Sequence, residues 1–503
     1  MRIVGSIEKA ESLRDSILFS CLNFKFKRKR MVITESQAIT ESDLKLQEKI
    51  GYSMGDLACN LIYTTVCTYL LFFYTNVYGL GAEVAATMFL IVRVMDAVVD
   101  PIVGTFVDKH TFKQGKFRPY LLYGAIPFAI LGILCFTTPD FSDGLKIIYA
   151  YATYIGLSLI YTTINIPYGA LTAAMTRNNK TVVSMTSIRM LCANFGGLLV
   201  AFGVPVIVTM ISGSYTGDDA RYGWQLTMGV YSVVGALLLL YCYSKTKERV
   251  RLDVQNDKNV KFKDLFHQFK VNRPLVVLSL FFIILFGMMA VSNSIGVYFI
   301  TYNCARPDLA QWYGLLGTLP AFFLLPLVPK LNKLLGKVRL LEISLFLGIL
   351  GALMLYIVSA DNITMIFIAR FISSCGIIVA GGFMWALIPE TIEYGEYKTG
   401  KRLSGMIYAI IGFFFKFGLA LGGIIPGFML AHFGYVANQV QTPEALSGIL
   451  ITTTLIPIVF LIVAIVDISF YNLDDKKYKD IIQVLENRKT EVDQVCPVEV
   501  SHV

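Results

Sequence analysis

AATMFLIVRVMDAVVDPIVGTFV, residues 85–107, is apolar throughout except for Arg93, Asp96 and Asp100 and a few small polar positions. A helix of about 20 residues crosses the hydrocarbon core of a bilayer, so this stretch predicts a membrane span. A carboxylate near the bilayer centre costs about 2.5–3.5 kcal/mol on insertion scales, and it marks an ion or substrate pathway by default. Asp96 and Asp100 are four residues apart, so both side chains leave the same helix face. Arg93 precedes Asp96 by three residues and can pair with it, which leaves Asp100 to find a cation elsewhere. Burial raises a carboxylate's proton affinity and a nearby cation lowers it again. Such a pair can exchange a proton or a metal ion, which is the chemical requirement for coupling.

Outward from this stretch the chain reads as a polytopic membrane protein. It has 503 residues, 55% hydrophobic and 16% charged, where a soluble domain carries about 25% charged residues. Apolar runs recur at 54–77, 83–107, 119–138, 146–175, 184–212, 224–243, 275–300, 309–329, 338–359, 362–389, 404–431 and 447–471, twelve expected spans. Basic residues gather in alternate loops: 108–118, 176–182, 244–274, 330–337 and 393–403. The positive-inside rule places those loops and both termini in the cytoplasm. It also accounts for the net charge of +9 without invoking nucleic acid. The nine Cys and four His show no metal-ligand spacing.

The longest internal loop, 244–274, carries nine Lys/Arg and divides the chain into two six-span bundles, 46–243 and 275–471. Within it KFKDLFHQFK reads as an interfacial amphipathic helix. The basic turns GTFVDKHTFKQGKFRPY and PKLNKLLGKVRLL echo one another after spans two and eight. Residues 1–45 form a cytoplasmic extension, and 472–503 a cytoplasmic tail. Residues 1–30, a short apolar run followed by KFKRKR and then Met31, read as an upstream or misassigned start, or else as a basic tail on anionic lipid.

The remaining buried polar residues define the candidate site. In span one Asp56 and Asn60 are again four apart. Asp56 reads equally as a helix-end charge, and Asn60 can donate to and accept from a sugar hydroxyl. In span four, YTTINIPYGALTAAMT, the threonines can bond back to their own helix, whereas Asn165, Tyr168 and the space at Gly169 suit a ligand. Arg189 in span five and Lys416 in span eleven are intramembrane cations. Lys416 has no acidic neighbour on its own helix, so its partner comes from another helix or from the substrate. Glu390, Glu393 and Glu396, with Arg402 nearby, predict a cytoplasmic ion-pair lock between the bundles.

Together these segments resemble the glycoside–pentoside–hexuronide:cation symporter family, the melibiose permease branch of the major facilitator superfamily. The carriers are EKIGYSMGDLACNLIYT, LLFFYTNVYGL, RVMDAVVDPIVG with GKFRPY, NIPYGALTAAMT and IPETIEYGEYKTGKRLSG, from about residue 46 to 472. The resemblance implies an all-α integral membrane protein with twelve transmembrane helices in the major facilitator fold. It places a cation site at Asp96, Asp100 and Thr162, holding metal only if the coupling ion is sodium. Val99 stands where sodium-coupled relatives have an asparagine, which favours H+ over Na+. The sugar-binding aspartates of melibiose permeases correspond to Asn60 and Asn165. Their tryptophans correspond to Gly169 and Gly381, with Tyr168 or Trp385 as replacements. Arg189 and Lys416 are kept, and Arg93 and Asp56 lie beside the site. This pattern makes melibiose an unlikely substrate, resembles the xyloside, glucoside and glucuronide members, and makes the cavity more attractive to an anionic sugar.

The expected activity is therefore cation-coupled symport of a glycoside, pentoside or hexuronide by alternating access in a bacterial inner membrane, by a monomer in lipid. A lysolipid or amphiphile transporter of the same branch is the alternative, and a sensor is a remote third. No nucleophile–base pair or metal motif points to an enzyme.

Overall fold

The structure, a computed structural model, describes residues 44–176, 179–249, 262–400 and 403–495. The basic N-terminal run and Arg402 lie outside the described residues. Among the described residues twelve long helices follow one another ahead of a C-terminal helix, Asp475–Val495: α1 Leu46–Asn76, α2 Ala82–Lys109, α3 Arg118–Cys135, α4 Asp143–Met175, α5 Asn179–Leu198 continued to Ser212, and α6 Arg221–Lys245. The second half is α7 Arg273–Asn303, α8 Pro307–Leu335, α9 Lys337–Ile357, α10 Ile363–Thr399, α11 Ser404–His432 and α12 Pro443–Ser469. Eleven are long and apolar enough to cross a bilayer. The helix outside that set is α2, because Arg93, Asp96 and Asp100 interrupt its apolar run.

On α2 the exposed residues Ile91, Val94, Val98 and Ile102 recur every three or four positions, the stripe of a helix with one lipid-facing side. Arg93, Asp96 and Asp100 occupy the other side, turned into the protein. In the C-terminal half glycines let backbones touch. A Cβ at Gly422 would come within 2.1 Å of the Gly287 carbonyl oxygen, and one at Gly376 within 2.1 Å of the Ser344 carbonyl oxygen. These close α7–α11 and α9–α10 crossings are the packing that small residues allow between membrane helices.

The 330–337 loop expected from its lysines is mostly helix. α8 runs on through Leu335 and only Gly336, at φ +78°, separates it from α9. VPKLNKLL has an apolar side, and its one proline, Pro329, stands in the first turn of this helical segment, where the missing N–H is least costly. α10 likewise continues to Thr399, which puts Glu390, Glu393 and Glu396 on a helix. The helix Phe262–Val271 forms as expected, but it docks on protein. Buried Gln268 donates to Thr399 Oγ1 at 3.2 Å, and Phe269 packs on Phe414.

The halves meet at the end away from the basic loops. Thr75 Oγ1 and Tyr298 Oη lie 2.7 Å apart, and Tyr215 Oη and Thr301 Oγ1 2.5 Å. Fully buried Asn76 is the hub. Its Oδ1 accepts from the hydroxyls of Tyr302 and Tyr435, and its backbone oxygen accepts from Asn438 Nδ2 at 2.7 Å. Toward the basic end the halves part. A Cβ at Gly169 would meet nothing within 4 Å, Gly381 faces only the Met289 sulfur at 3.8 Å, and Trp385 is 37% exposed.

Candidate functional site

Asp96 and Asp100 face α4 in matched register. Ser158 Oγ donates to Asp96 Oδ1 at 2.5 Å, and Thr162 Oγ1 to Asp100 Oδ1 at 3.0 Å. The two hydroxyls are four residues apart on α4, as the carboxylates are on α2, so two helices at one level repeat the same contact one turn apart. The second oxygen of each carboxylate meets a cation. Arg93 Nη1 lies 3.4 Å from Asp96 Oδ2 and also donates to Tyr63 Oη at 2.7 Å. Lys416 Nζ donates to Asp100 Oδ2. Lys416 belongs to α11, so this ion pair joins the two halves at mid-depth. Asp100's side chain is 16% exposed and that of Lys416 41%, so the lysine stands at the edge of open space.

The structure thus supplies the partner that the sequence left open for both residues. It also adds Ser158, whose four-residue spacing from Thr162 repeats that of the aspartates. Thr162 does not bond back to its own helix, whereas Thr163 does, to the Leu159 carbonyl at 2.8 Å. The Val99 side chain carries no oxygen, so six side-chain oxygens of Asp96, Asp100, Ser158 and Thr162 meet between α2 and α4: four from carboxylates and two from hydroxyls.

A second polar cluster ties α1, α4 and α5 together nearer the basic end. Arg189 Nε lies 3.4 Å from Asp56 Oδ2, and Arg189 Nη1 donates to Tyr52 Oη at 3.4 Å. Thr172 Oγ1 donates to the same hydroxyl at 2.6 Å. Tyr168, expected to offer its ring to a ligand, is 1% exposed instead. It stacks on Tyr52 with ring centres 4.7 Å apart and donates to the Tyr52 carbonyl at 2.8 Å. One helix rotation explains the difference, because the face of α4 that presents Gly169 to open space turns Tyr168 into α1.

Asn60 engages its own helix. Nδ2 donates to the Asp56 carbonyl at 2.8 Å, and Oδ1 accepts from Thr64 at 3.0 Å. Half-buried Asn165 makes no hydrogen bond to another described residue and remains available. Trp385 lies edge-on against Phe282 and Phe415 with part of its ring exposed.

The glutamates expected to lock the bundles make their shown contacts inside the C-terminal half. Lys337 Nζ donates to Glu390 at 2.8 Å, and Tyr478 Oη donates to Glu393. Glu396 lies on the same helix as Glu390 and Glu393. The closed end is the opposite one, and neutral Asn, Tyr and Thr side chains build it. Arg370, about two turns into α10, escaped the sequence reading although IARF sets a guanidinium in an apolar run. Its Cζ lies 4.9 Å over the Tyr313 ring.

Comparison with known proteins agrees with this architecture. The family described as MFS/sugar transport protein matches residues 51–475. The chain is 61% identical over 445 residues to the uncharacterized symporter YnaJ of Bacillus subtilis, covering 88% of this chain and 96% of that one. It is 38% identical over 449 residues to the glucuronide carrier protein homolog of Escherichia coli, covering 88% and 95%. A bacterial homolog of the human lysosomal transporter Spinster, solved inward-facing and unoccupied, superposes with a TM-score of 0.61 over 89% of this chain and 98% of its own, at 14% identity. That likeness speaks for the fold alone. With twelve helices in two halves around a polar interior, and a family match spanning nearly the whole membrane region, the chain belongs to the MFS/sugar transport protein family, that of the glycoside–pentoside–hexuronide symporters in the major facilitator superfamily.

Proposed function

We propose that this sugar symporter couples glycoside movement to a cation bound at Asp96 and Asp100, with H+ favoured over Na+. The observation that carries this reading is the ion pair between Asp100 of α2 and Lys416 of α11. In this structure Lys416 neutralises Asp100. A cation arriving on Asp100 takes the lysine's place, and Lys416 turns to the cavity as a donor for the substrate. Cation and sugar then favour the same state, which is what thermodynamic coupling requires. Ser158 and Thr162 hold the carboxylates in register throughout. A proton neutralises Asp100 without the extra oxygen that Val99 does not supply, which is the ground for preferring it.

The basic loops mark the cytoplasmic side, so the closed end faces outward and this conformation opens inward. Asn165, Lys416 and Trp385 border the open space, and Gly169 and Gly381 leave room for a glycoside there. Arg189 and Asp56 brace α5 on α1 beneath it. The two halves then rock about the site to expose it to the other side.

Proteoliposome uptake of labelled glycosides, under an imposed proton gradient or an imposed sodium gradient, tests the proposal. The expected result is concentrative uptake driven by the proton gradient. Accumulation driven only by sodium would overturn the choice of ion, and uptake indifferent to both gradients would overturn coupling.

A further inference from the structure

Beneath the sealed outer end a cavity opens between the halves. Thr64 and Thr68 of α1 line one wall, and Asn293 of α7, Tyr313 of α8 and Arg370 of α10 line the other. Thr68 lies about two helical turns below the hub Asn76, so the cavity is the apex of the space between the halves. Three of its polar side chains are uncommitted. Thr68 and Asn293 make no side-chain hydrogen bond to another described residue, and Asn293 is exposed although it stands mid-helix. Arg370 Nε is buried without a hydrogen-bond partner.

Arg370 differs from the other cations of the interior. Arg93, Arg189 and Lys416 each face a carboxylate. Arg370 faces none among the described residues, only the Tyr313 ring. A guanidinium away from water is costly unless an anion meets it. Its planar fork matches a carboxylate in two parallel hydrogen bonds. The cations that the sequence offered to an anionic sugar, Arg189 and Lys416, each face a carboxylate of the protein in this structure, whereas Arg370 faces only a ring.

We propose that Arg370 binds a carboxylate carried by the transported glycoside, with Thr68 and Asn293 reaching neighbouring hydroxyls, so that sugar acids are preferred over neutral sugars of the same shape. The proposal rests on the sugar-transport reading above and adds the substrate's charge. A neutral sugar in this cavity leaves the guanidinium unmatched, while a glucuronide satisfies it.

The test is equilibrium exchange of labelled substrate in proteoliposomes, with an aryl glucuronide and the aryl glucoside of the same aglycone as competing substrates. Wild-type protein is expected to prefer the glucuronide by about tenfold or more, the range for a hydrogen bond to a charged group. Arg370→Gln is expected to abolish that preference while holding the glucoside's apparent affinity within about threefold, and Arg370→Lys to restore part of it. Equal competition by the two glycosides in the wild type would overturn the proposal. So would an Arg370→Gln protein that weakens both equally, which is the mark of a structural role. Exchange of neutral sugar alone refutes the charge assignment and leaves sugar transport standing. Exchange of no sugar in a wider panel refutes transport itself, and the proposal with it.

Discussion

Asp100→Asn is expected to leave a protein that exchanges glycoside across the membrane but no longer accumulates it. A potential of 100 mV is worth about 2.3 kcal/mol per elementary charge, roughly fortyfold in concentration for one cation per sugar. The variant should settle at a ratio of one. The physical reason is specific to this carboxyl. Its Oδ1 accepts from Thr162 and its Oδ2 from Lys416, and an amide keeps much of that shape while losing the charge and the proton site. Lys416 then stands unpaired. Removing one member of a buried pair costs about 3–5 kcal/mol, but the lysine's exposure toward the cavity reduces this well below that figure, so the protein should fold. Thr162→Val offers a milder comparison, because the carboxylate keeps its charge and loses one hydrogen bond. Undiminished uphill accumulation by Asp100→Asn would remove the residue from coupling.

Asn76→Ala is expected to open the outer end. The amide oxygen of Asn76 is the common acceptor for Tyr302 and Tyr435, one hydroxyl from α7 and one from the segment after α11. Without it both hydroxyls lose their partner inside the seal. Each unmet buried donor costs about 1–3 kcal/mol, and that cost falls only on the state in which the outer ends are closed. The equilibrium should therefore move toward the outward-open form by at least about tenfold. Spin labels at Asp143 and Glu444, exposed positions at the sealed ends of the two halves, report this directly. The expected signal is growth of a long-distance population in Asn76→Ala relative to wild type. An unchanged distance distribution would mean that helix packing, such as Gly427 of α11 against Ala86 of α2, holds the gate without the hydrogen bonds.

The spans were legible because hydropathy and charge are properties of segments. α2 was legible for the opposite reason: its charges break the pattern that surrounds them. What was not legible depends on rotation and on partners far along the chain. Nothing local told that Lys416 meets Asp100, 316 residues away. Nothing in NIPYGALT told that α4 turns Tyr168 into α1 and leaves Gly169 open. Ser158 could have been read, since it stands four residues before Thr162 as Asp96 stands before Asp100. The seal between the halves was invisible because Asn76, Tyr302 and Tyr435 are neutral residues at or just beyond helix ends, where such residues are common. The charged lock was expected at the other end because charges draw the eye there, yet Glu390 and Glu393 make their shown contacts within one half. The helix at Phe262–Val271 has an apolar face whether lipid or protein covers it, and only the contacts of Gln268 and Phe269 decide which.

The central claim is that sugar and cation move together through Asp100. Glycoside-induced proton flux measures this most directly. Unlabelled glycoside is added to de-energised proteoliposomes carrying a trapped pH indicator. Acidification of the lumen upon sugar addition is predicted for the wild type, and none for Asp100→Asn at equal rates of sugar exchange. Equal acidification by the two proteins, or sugar entry without acidification in sodium-free wild-type vesicles, would contradict the account.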